Sequence, residues 1–361
     1  MRRRGLLLLR CFYYIIFFEV TLIMIKKFLI AFILIAALAA GVSSSEEFKP
    51  WNLNTMIHPE LKEQFIKMPE ITISTKNLEA LDNLRKNFVI LADNCPTDDS
   101  VEVSDEVVNK DLRVRVYRPK SEAKELPALL WIHGGGHIMG LPEQDEALLL
   151  EIAKTVPCIV AAPDYDLAPE FPYPADLNDC YEALKWLTDS ERSKLPVIKN
   201  KVAVAGQSAG GGLAVAVALK ARDEKGPALC FQMPLYPMLD CRNITPSINQ
   251  ITDHRVWCKD FNLAAWEMYL GKNTKEVSAY ASPALAKDLS GLPPAYIMVG
   301  SLDPFRDESI NYAQRLLQAG VPVELHTVPG GFHGFEGIIE DAPVSVKTRA
   351  EYVEALAKAL R

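Results

Sequence analysis

Gly206-Gln207-Ser208-Ala209-Gly210 fits the pattern G-x-S-x-G. An apolar strand-like run ends just before it, and a helical pattern, Ala209–Arg222, begins just after Ser208. That context puts Ser208 on a sharp strand-to-helix turn with its hydroxyl exposed over a sheet edge. The small neighbours Gly206 and Gly210 let strand and helix pass closely. The helix start favours negative charge that develops beside it. This is a setting for a nucleophile. An idle serine on a glycine-rich turn and a phosphate-cradling glycine run are the rival readings, and the second lacks G-x-x-x-x-G-K. Upstream, His133-Gly134-Gly135-Gly136 follows the run Ala128–Ile132. Three glycines allow backbone N–H groups to turn toward a ligand oxygen without obstruction. Gly134 and Gly135, with the N–H of Ala209, are therefore the expected oxyanion donors, and Gly136 supports the loop. A plain tight turn is the bland alternative. His133 is expected to brace this loop rather than transfer protons. His137 either lines the pocket or is a solvated loop residue.

A serine nucleophile needs a base and an acid that orients the base. His333 lies in Pro329-Gly330-Gly331-Phe332-His333-Gly334-Phe335, after the last strand pattern, and is the expected base. Asp303 follows the strand Ala295–Val299 and is the expected acid, with Pro304 suited to the first turn of the next helix. Asp307 and Glu308 are expected to cap or solvate that helix. Asp240, after the preceding strand, is the rival acid. His326 reads as structural, and His58 and His254 have no supporting context.

These residues need a scaffold. Val101–Val108 and Leu112–Tyr117 alternate as half-buried strands do. Continuous apolar runs follow at Ala128–Ile132, Cys158–Ala162, Val202–Ala205, Ala228–Leu235 and Ala295–Val299, with alternation again over Val321–Val328. Helical patterns separate them at Asp145–Val156, Asp176–Thr188, Ala209–Arg222 and Arg306–Ala319, and Val344–Leu360 closes the chain. Alternation of this kind predicts an α/β fold: a mostly parallel sheet with helices on both faces, opening on an antiparallel hairpin. Two stretches lie outside the pattern. Residues 50–100 read as a helical preamble, with helices near Ile57–Met68 and Leu78–Leu91. Residues 238–283 separate two strands by far more than a crossover needs and carry a helix near Phe261–Leu270. Both are expected to form a cap over one sheet edge. The core is then 101–237 and 284–361.

Composition excludes other classes. Of 361 residues, 49% are hydrophobic and 24% charged, an ordinary globular balance. The chain carries 39 Lys+Arg against 46 Asp+Glu, and residues 1–40 hold six of the bases and one of the acids. The remainder is strongly acidic, so nucleic acid is not an expected partner. Lys26-Lys27, the apolar run Phe28–Ala40 and Ala37-Leu38-Ala39 have the parts of an export signal, with an uncleaved membrane anchor as the alternative. Residues 1–40 are thus expected to direct secretion or periplasmic export. Six cysteines follow this leader. None forms C-x-x-C, so no metal is expected. Cys158 and Cys230 read as core residues, and Cys241–Cys258 is the candidate disulfide.

Five segments together resemble the hormone-sensitive-lipase-like esterases of the α/β-hydrolase fold, arylacetamide-deacetylase-like relatives included. They are HGGG at 133–136, DYDLAPEFPYPA at 164–175, GQSAGG at 206–211, DPFRDE at 303–308 and GFHGF at 331–335. The chain order Ser208, Asp303, His333 is the order of that fold. The resemblance implies an eight-stranded sheet with a helical cap. It also implies a serine carboxylesterase that takes short- to medium-chain esters without a cofactor. Two positions depart from it: Gln207 stands where Asp or Thr is usual, and Asp166 replaces an arginine. An amidase or deacetylase with the same triad, and a non-catalytic binder on the same fold, are the alternative functions. The expected partner is a small-molecule ester, and a homodimer is left open.

Overall fold

In a computed structural model, residues 48–92, 94–271 and 276–361 are described. The expected leader lies outside them. Among the described residues no helix is long and apolar enough to cross a membrane.

Eight strands form one sheet: β1 Val101–Val107, β2 Arg113–Pro119, β3 Leu126–Ile132, β4 Ile159–Asp164, β5 Val197–Gln207, β6 Phe231–Leu235, β7 Ala295–Leu302 and β8 Val323–Phe332. Their order is β1-β2-β4-β3-β5-β6-β7-β8. β1 pairs antiparallel with β2, and β2 antiparallel with β4; every other pairing is parallel. The opening hairpin and the parallel remainder match the pattern read from the sequence. β3 is the strand where two-sided burial is plainest. Ala128, Leu130 and Ile132 join a core with helices Ala175–Thr188, Ala209–Asp223 and Arg306–Gln318. Leu129 and Trp131 point the other way, into a core with helices Glu146–Thr155 and Pro343–Leu360. Period-two alternation thus feeds two cores from one apolar run. Truncating any of these fully buried leucines to alanine costs about 2–5 kcal/mol.

The preamble divides. Of the helix expected near Ile57–Met68 only Lys62–Lys67 forms; a separate short helix, Leu53–Met56, precedes it, and the turn around Pro59 divides the two. Leu53, Ile57, Leu61 and Phe65 join the second sheet core, where Phe65 packs against Phe332 with centroids 5.4 Å apart. A third apolar cluster contains Ile73 and Leu81 from the preamble, Trp257, Phe261, Trp266 and Tyr269 from the long insertion, and Ile138, Met139, Ala209 and Phe305 from the sheet edge. Arg85 fastens helix Leu78–Ala92 to that edge. Its guanidinium donates to the carbonyls of Ile138 (2.8 Å) and Ala168 (2.7 Å) and to both Glu170 oxygens.

Cys241 and Cys258 are free thiols, so the candidate disulfide is absent. Cys258 stands at the N-cap of helix Lys259–Leu270, whereas the Cys241 N–H is held by Ser282 Oγ at 3.1 Å.

Candidate active site

The parallel strands deliver the chemistry-bearing residues at their C-terminal ends. β5 ends at Gln207, and helix Ala209–Asp223 begins two residues later. Ser208 takes φ +56°, ψ −119°, a conformation that side-chain-bearing residues seldom adopt. Three backbone bonds hold it there. Its N–H donates to Leu235 (2.9 Å), and its carbonyl accepts from Gly212 (3.0 Å) and Met238 (2.9 Å). The turn is tight enough to demand glycine at 210, where a Cβ would lie 2.0 Å from the Ile132 carbonyl oxygen.

His333 follows the last residue of β8, and Asp303 the last of β7. Both strands run farther than their apolar patterns, so the glycines at 330 and 331 belong to β8. Ser301 Oγ accepts the Gly330 N–H at 2.8 Å and ties the two strand ends together. His333 Nδ1 donates to Asp303 Oδ2 at 2.8 Å, and Nε2 stands 2.9 Å from Ser208 Oγ. Asp303 Oδ1 accepts the Phe305 N–H at 2.7 Å. Asp303 is fully buried, while Ser208 is 6% and His333 8% exposed. The structure brings together all three expected residues. With Nδ1 committed to a carboxylate, Nε2 can accept a hydroxyl proton, so the arrangement can generate a serine nucleophile.

Gly134 lies against the serine: a Cβ there would stand 3.4 Å from Ser208 Cβ. Gly135 (φ +125°) and Gly136 (φ +64°) continue the loop. The N–H groups of Gly134, Gly135 and Ala209 have no acceptor among the described residues. His133 is buried, with Nδ1 donating to the Gly134 carbonyl at 2.8 Å and its ring stacked on Tyr165 at 4.2 Å. Burial lowers its pKa to about 4, so it stays neutral near pH 7.

Other positions take the following places, and Glu308 and the solvated reading of His137 differ from expectation. His137 is neither solvated nor free: it is buried, donates from Nδ1 to Asp176 Oδ2 at 2.7 Å, and stacks on Tyr269 at 3.8 Å. Asp240 pairs with Arg242 (2.6 Å) rather than with His333. Glu308 does not solvate its helix. Its buried carboxylate accepts the N–H groups of Leu239 (3.1 Å) and Asp240 (3.0 Å), and burial pushes its pKa well up. Asp307 accepts the Ser247 N–H at 2.7 Å. His326 is partly exposed and bonded to Glu324. At 166, where the resemblance has arginine, the backbone N–H donates to Asp179 Oδ2 at 3.0 Å. Burial, with Asp166 and Asp176 nearby, pushes Asp179 up to about 6.

Sequence reasoning missed the aromatic wall. Tyr236 (4.9 Å) and Phe305 (5.0 Å) meet the His333 ring edge-on, and Trp257 lies 6.2 Å from it. Trp257 also covers the glycine loop, since a Cβ on Gly136 would fall 2.3 Å from its ring. Tyr236 directly follows the end of β6, and Phe305 lies two residues beyond Asp303; those positions are the signal that could have found them. Trp257 lies in an irregular stretch with no such signal.

Comparison with known proteins agrees with this geometry. A family model described as alpha/beta hydrolase fold matches residues 129–337. The esterase LipI of Mycobacterium tuberculosis is 35% identical over 67% of this chain and 76% of its own. An arylesterase of Saccharolobus solfataricus is 33% identical over 69% of this chain and 81% of its own. The solved structure of a bacterial heroin esterase superposes with a TM-score of 0.79 at 37% identity, covering 86% of this chain and all of that one. The chain belongs to the hormone-sensitive-lipase-like family of α/β-hydrolase-fold enzymes and is a carboxylic ester hydrolase.

Proposed function

We propose that the chain is a serine carboxylesterase for short- to medium-chain acyl esters, working through an acyl-enzyme on Ser208. The observation that carries this reading is the relay Ser208 Oγ–His333 Nε2 at 2.9 Å and His333 Nδ1–Asp303 Oδ2 at 2.8 Å. His333 takes the Ser208 proton as Oγ attacks the ester carbonyl. The oxyanion is received by the N–H groups of Gly134, Gly135 and Ala209, each without another acceptor, at the start of helix Ala209–Asp223. Asp303 holds the imidazole in the tautomer that leaves Nε2 free, and offsets the charge of the imidazolium. His333 then returns the proton to the leaving alcohol. Water enters, loses a proton to the same base and releases the acid. His133, Gly136, Gly206 and Gly210 support the loop and the turn and take no part in proton transfer.

The preference for modest acyl groups rests on closure. Tyr236, Trp257 and Phe305 ring the base, and Ser208 is nearly inaccessible. The deciding experiment is hydrolysis of p-nitrophenyl esters from acetate to palmitate by the enzyme and by Ser208→Ala. Activity that falls beyond roughly C6–C8 and disappears in the variant supports the reading. An active Ser208→Ala enzyme refutes it, and a rising rate toward palmitate refutes the chain-length part alone.

A further inference from the structure

Glu336 lies three residues beyond His333, in the short helix Phe335–Ile338, and is fully buried. The proposed reaction does not use it. Its Oε1 accepts the Tyr236 hydroxyl proton at 2.7 Å, and its Oε2 is buried without a hydrogen-bond partner. Tyr236 is the residue whose ring meets His333 edge-on at 4.9 Å. A carboxylate in such a place is costly to keep unless it serves a nearby positive charge.

The groups around it are few. Tyr236 comes from the turn after β6, and Asp145 from just ahead of helix Glu146–Thr155. Tyr352 and Arg349 come from helix Pro343–Leu360, and His333 and Asp303 lie on the other side of Tyr236. Arg349 spends its guanidinium on the backbone carbonyls of Glu336 and Glu340. Asp145 accepts the Trp131 indole N–H at 2.7 Å, and the Tyr352 hydroxyl is unpartnered. Among the described residues no lysine or arginine forms an ion pair with the Glu336 carboxylate. The positive charge within its reach is the one that appears on His333 during turnover.

We propose that Glu336 is a positioning residue whose carboxylate, acting through Tyr236, stabilises the imidazolium form of His333. This rests on the proposed role of His333 as base. No bond is made or broken at Glu336. The proton moves from Ser208 Oγ to Nε2 and onward, and none of it passes to Glu336, whose carboxyl pKa is pushed up by burial while the Tyr236 hydroxyl and His333 draw it back down. Its oxygen fixes the Tyr236 hydroxyl, which fixes the ring against the imidazole.

The test is the pH dependence of kcat/KM for p-nitrophenyl butyrate, preceded by titration of Ser208 with a reactive phosphonate. In Glu336→Gln, kcat/KM near pH 8 falls by about 3–10-fold. The acid limb moves to lower pH by roughly half to one unit, because the imidazolium loses a favourable charge. The deficit therefore shrinks toward acid pH. Tyr236→Phe shifts the limb the same way, and the double variant is no worse than Glu336→Gln alone. An acid limb that stays in place in both single variants overturns the proposal, whether or not the rate drops evenly across pH. If Glu336→Gln fails to fold, Tyr236→Phe decides alone. Absence of phosphonate labelling in the parent enzyme would count against Ser208 itself, and so is distinguishable from failure of this proposal.

Discussion

Two buried histidine–aspartate pairs sit in this molecule with nearly the same geometry. His333 donates from Nδ1 to Asp303 at 2.8 Å, and His137 donates from Nδ1 to Asp176 at 2.7 Å. Each aspartate accepts one further backbone N–H at 2.7 Å, from Phe305 and Leu177 respectively. Each histidine is packed against aromatic rings. The difference lies at the far nitrogen. His333 Nε2 meets Ser208 Oγ, whereas His137 Nε2 is buried without a partner. His137 is also pressed face to face with Tyr269, at 8° between planes, where His333 meets Tyr236 and Phe305 by their edges. A histidine–carboxylate pair is thus no mark of a base. What the proposed base has in addition is a third atom, delivered by the strained turn at the end of β5. The second pair instead ties the glycine loop to helix Lys259–Leu270, because Tyr269 belongs to that helix.

The comparison can be broken at several points. Ser208→Ala should lower kcat/KM by at least ~10³-fold with the fold intact, measured beside phosphonate labelling. His333→Gln should fall into the same range. His137→Gln should keep activity within about tenfold of the parent, yet lower stability by about 1–3 kcal/mol in urea unfolding, because Asp176 loses its partner. If His137→Gln costs as much rate as His333→Gln, the division of labour drawn here is wrong. Gly136→Ala is next: the new Cβ meets the Trp257 ring at 2.3 Å on a backbone at φ +64°. A loss of about 10–100-fold in kcat is expected, with partial recovery in the double variant carrying Trp257→Ala. No recovery would mean that Trp257 does not seat the loop.

The smallest effect is one of stability against pH, at Asp145. Desolvation raises this carboxyl to about 7, above the 3.8 of an exposed aspartate. The folded state therefore holds the proton more tightly than the unfolded one. Its stability contribution is full below about pH 4, declines as pH rises, and levels off above about 7. Asp145→Asn should leave Tm nearly unchanged at pH 4 and raise it at pH 8.5, read by thermal unfolding at both. A gain of equal size at the two pH values would refute the account.

Much of this was legible in the sequence, for physical reasons. The sheet was readable because each strand is a short apolar run bounded by turns, and the helices between them repeat on their own period. Ser208, Asp303 and His333 were readable because each sits at the end of such a run, where small residues or a proline mark the turn. The rest needed side chains from distant elements. Nothing in one dimension says that Asp176, on a helix, reaches back 39 residues to His137, or that Glu308 turns inward to the amides after β6. The helix expected near Ile57–Met68 is shortened to Lys62–Lys67 for a local reason: the period was right, but the chain turns around Pro59.

Gly330 carries a consequence for the order of synthesis. Its carbonyl accepts the His58 N–H at 3.0 Å, and its own N–H is bonded to Ser301. A residue ahead of the sheet thus waits for one at the end of its last strand, and His333 follows three residues later. Ser208 emerges from the ribosome 125 residues ahead of His333. On the proposed mechanism a nascent chain holds Ser208 long before His333 can activate it, so reactivity waits until β8 has joined the sheet.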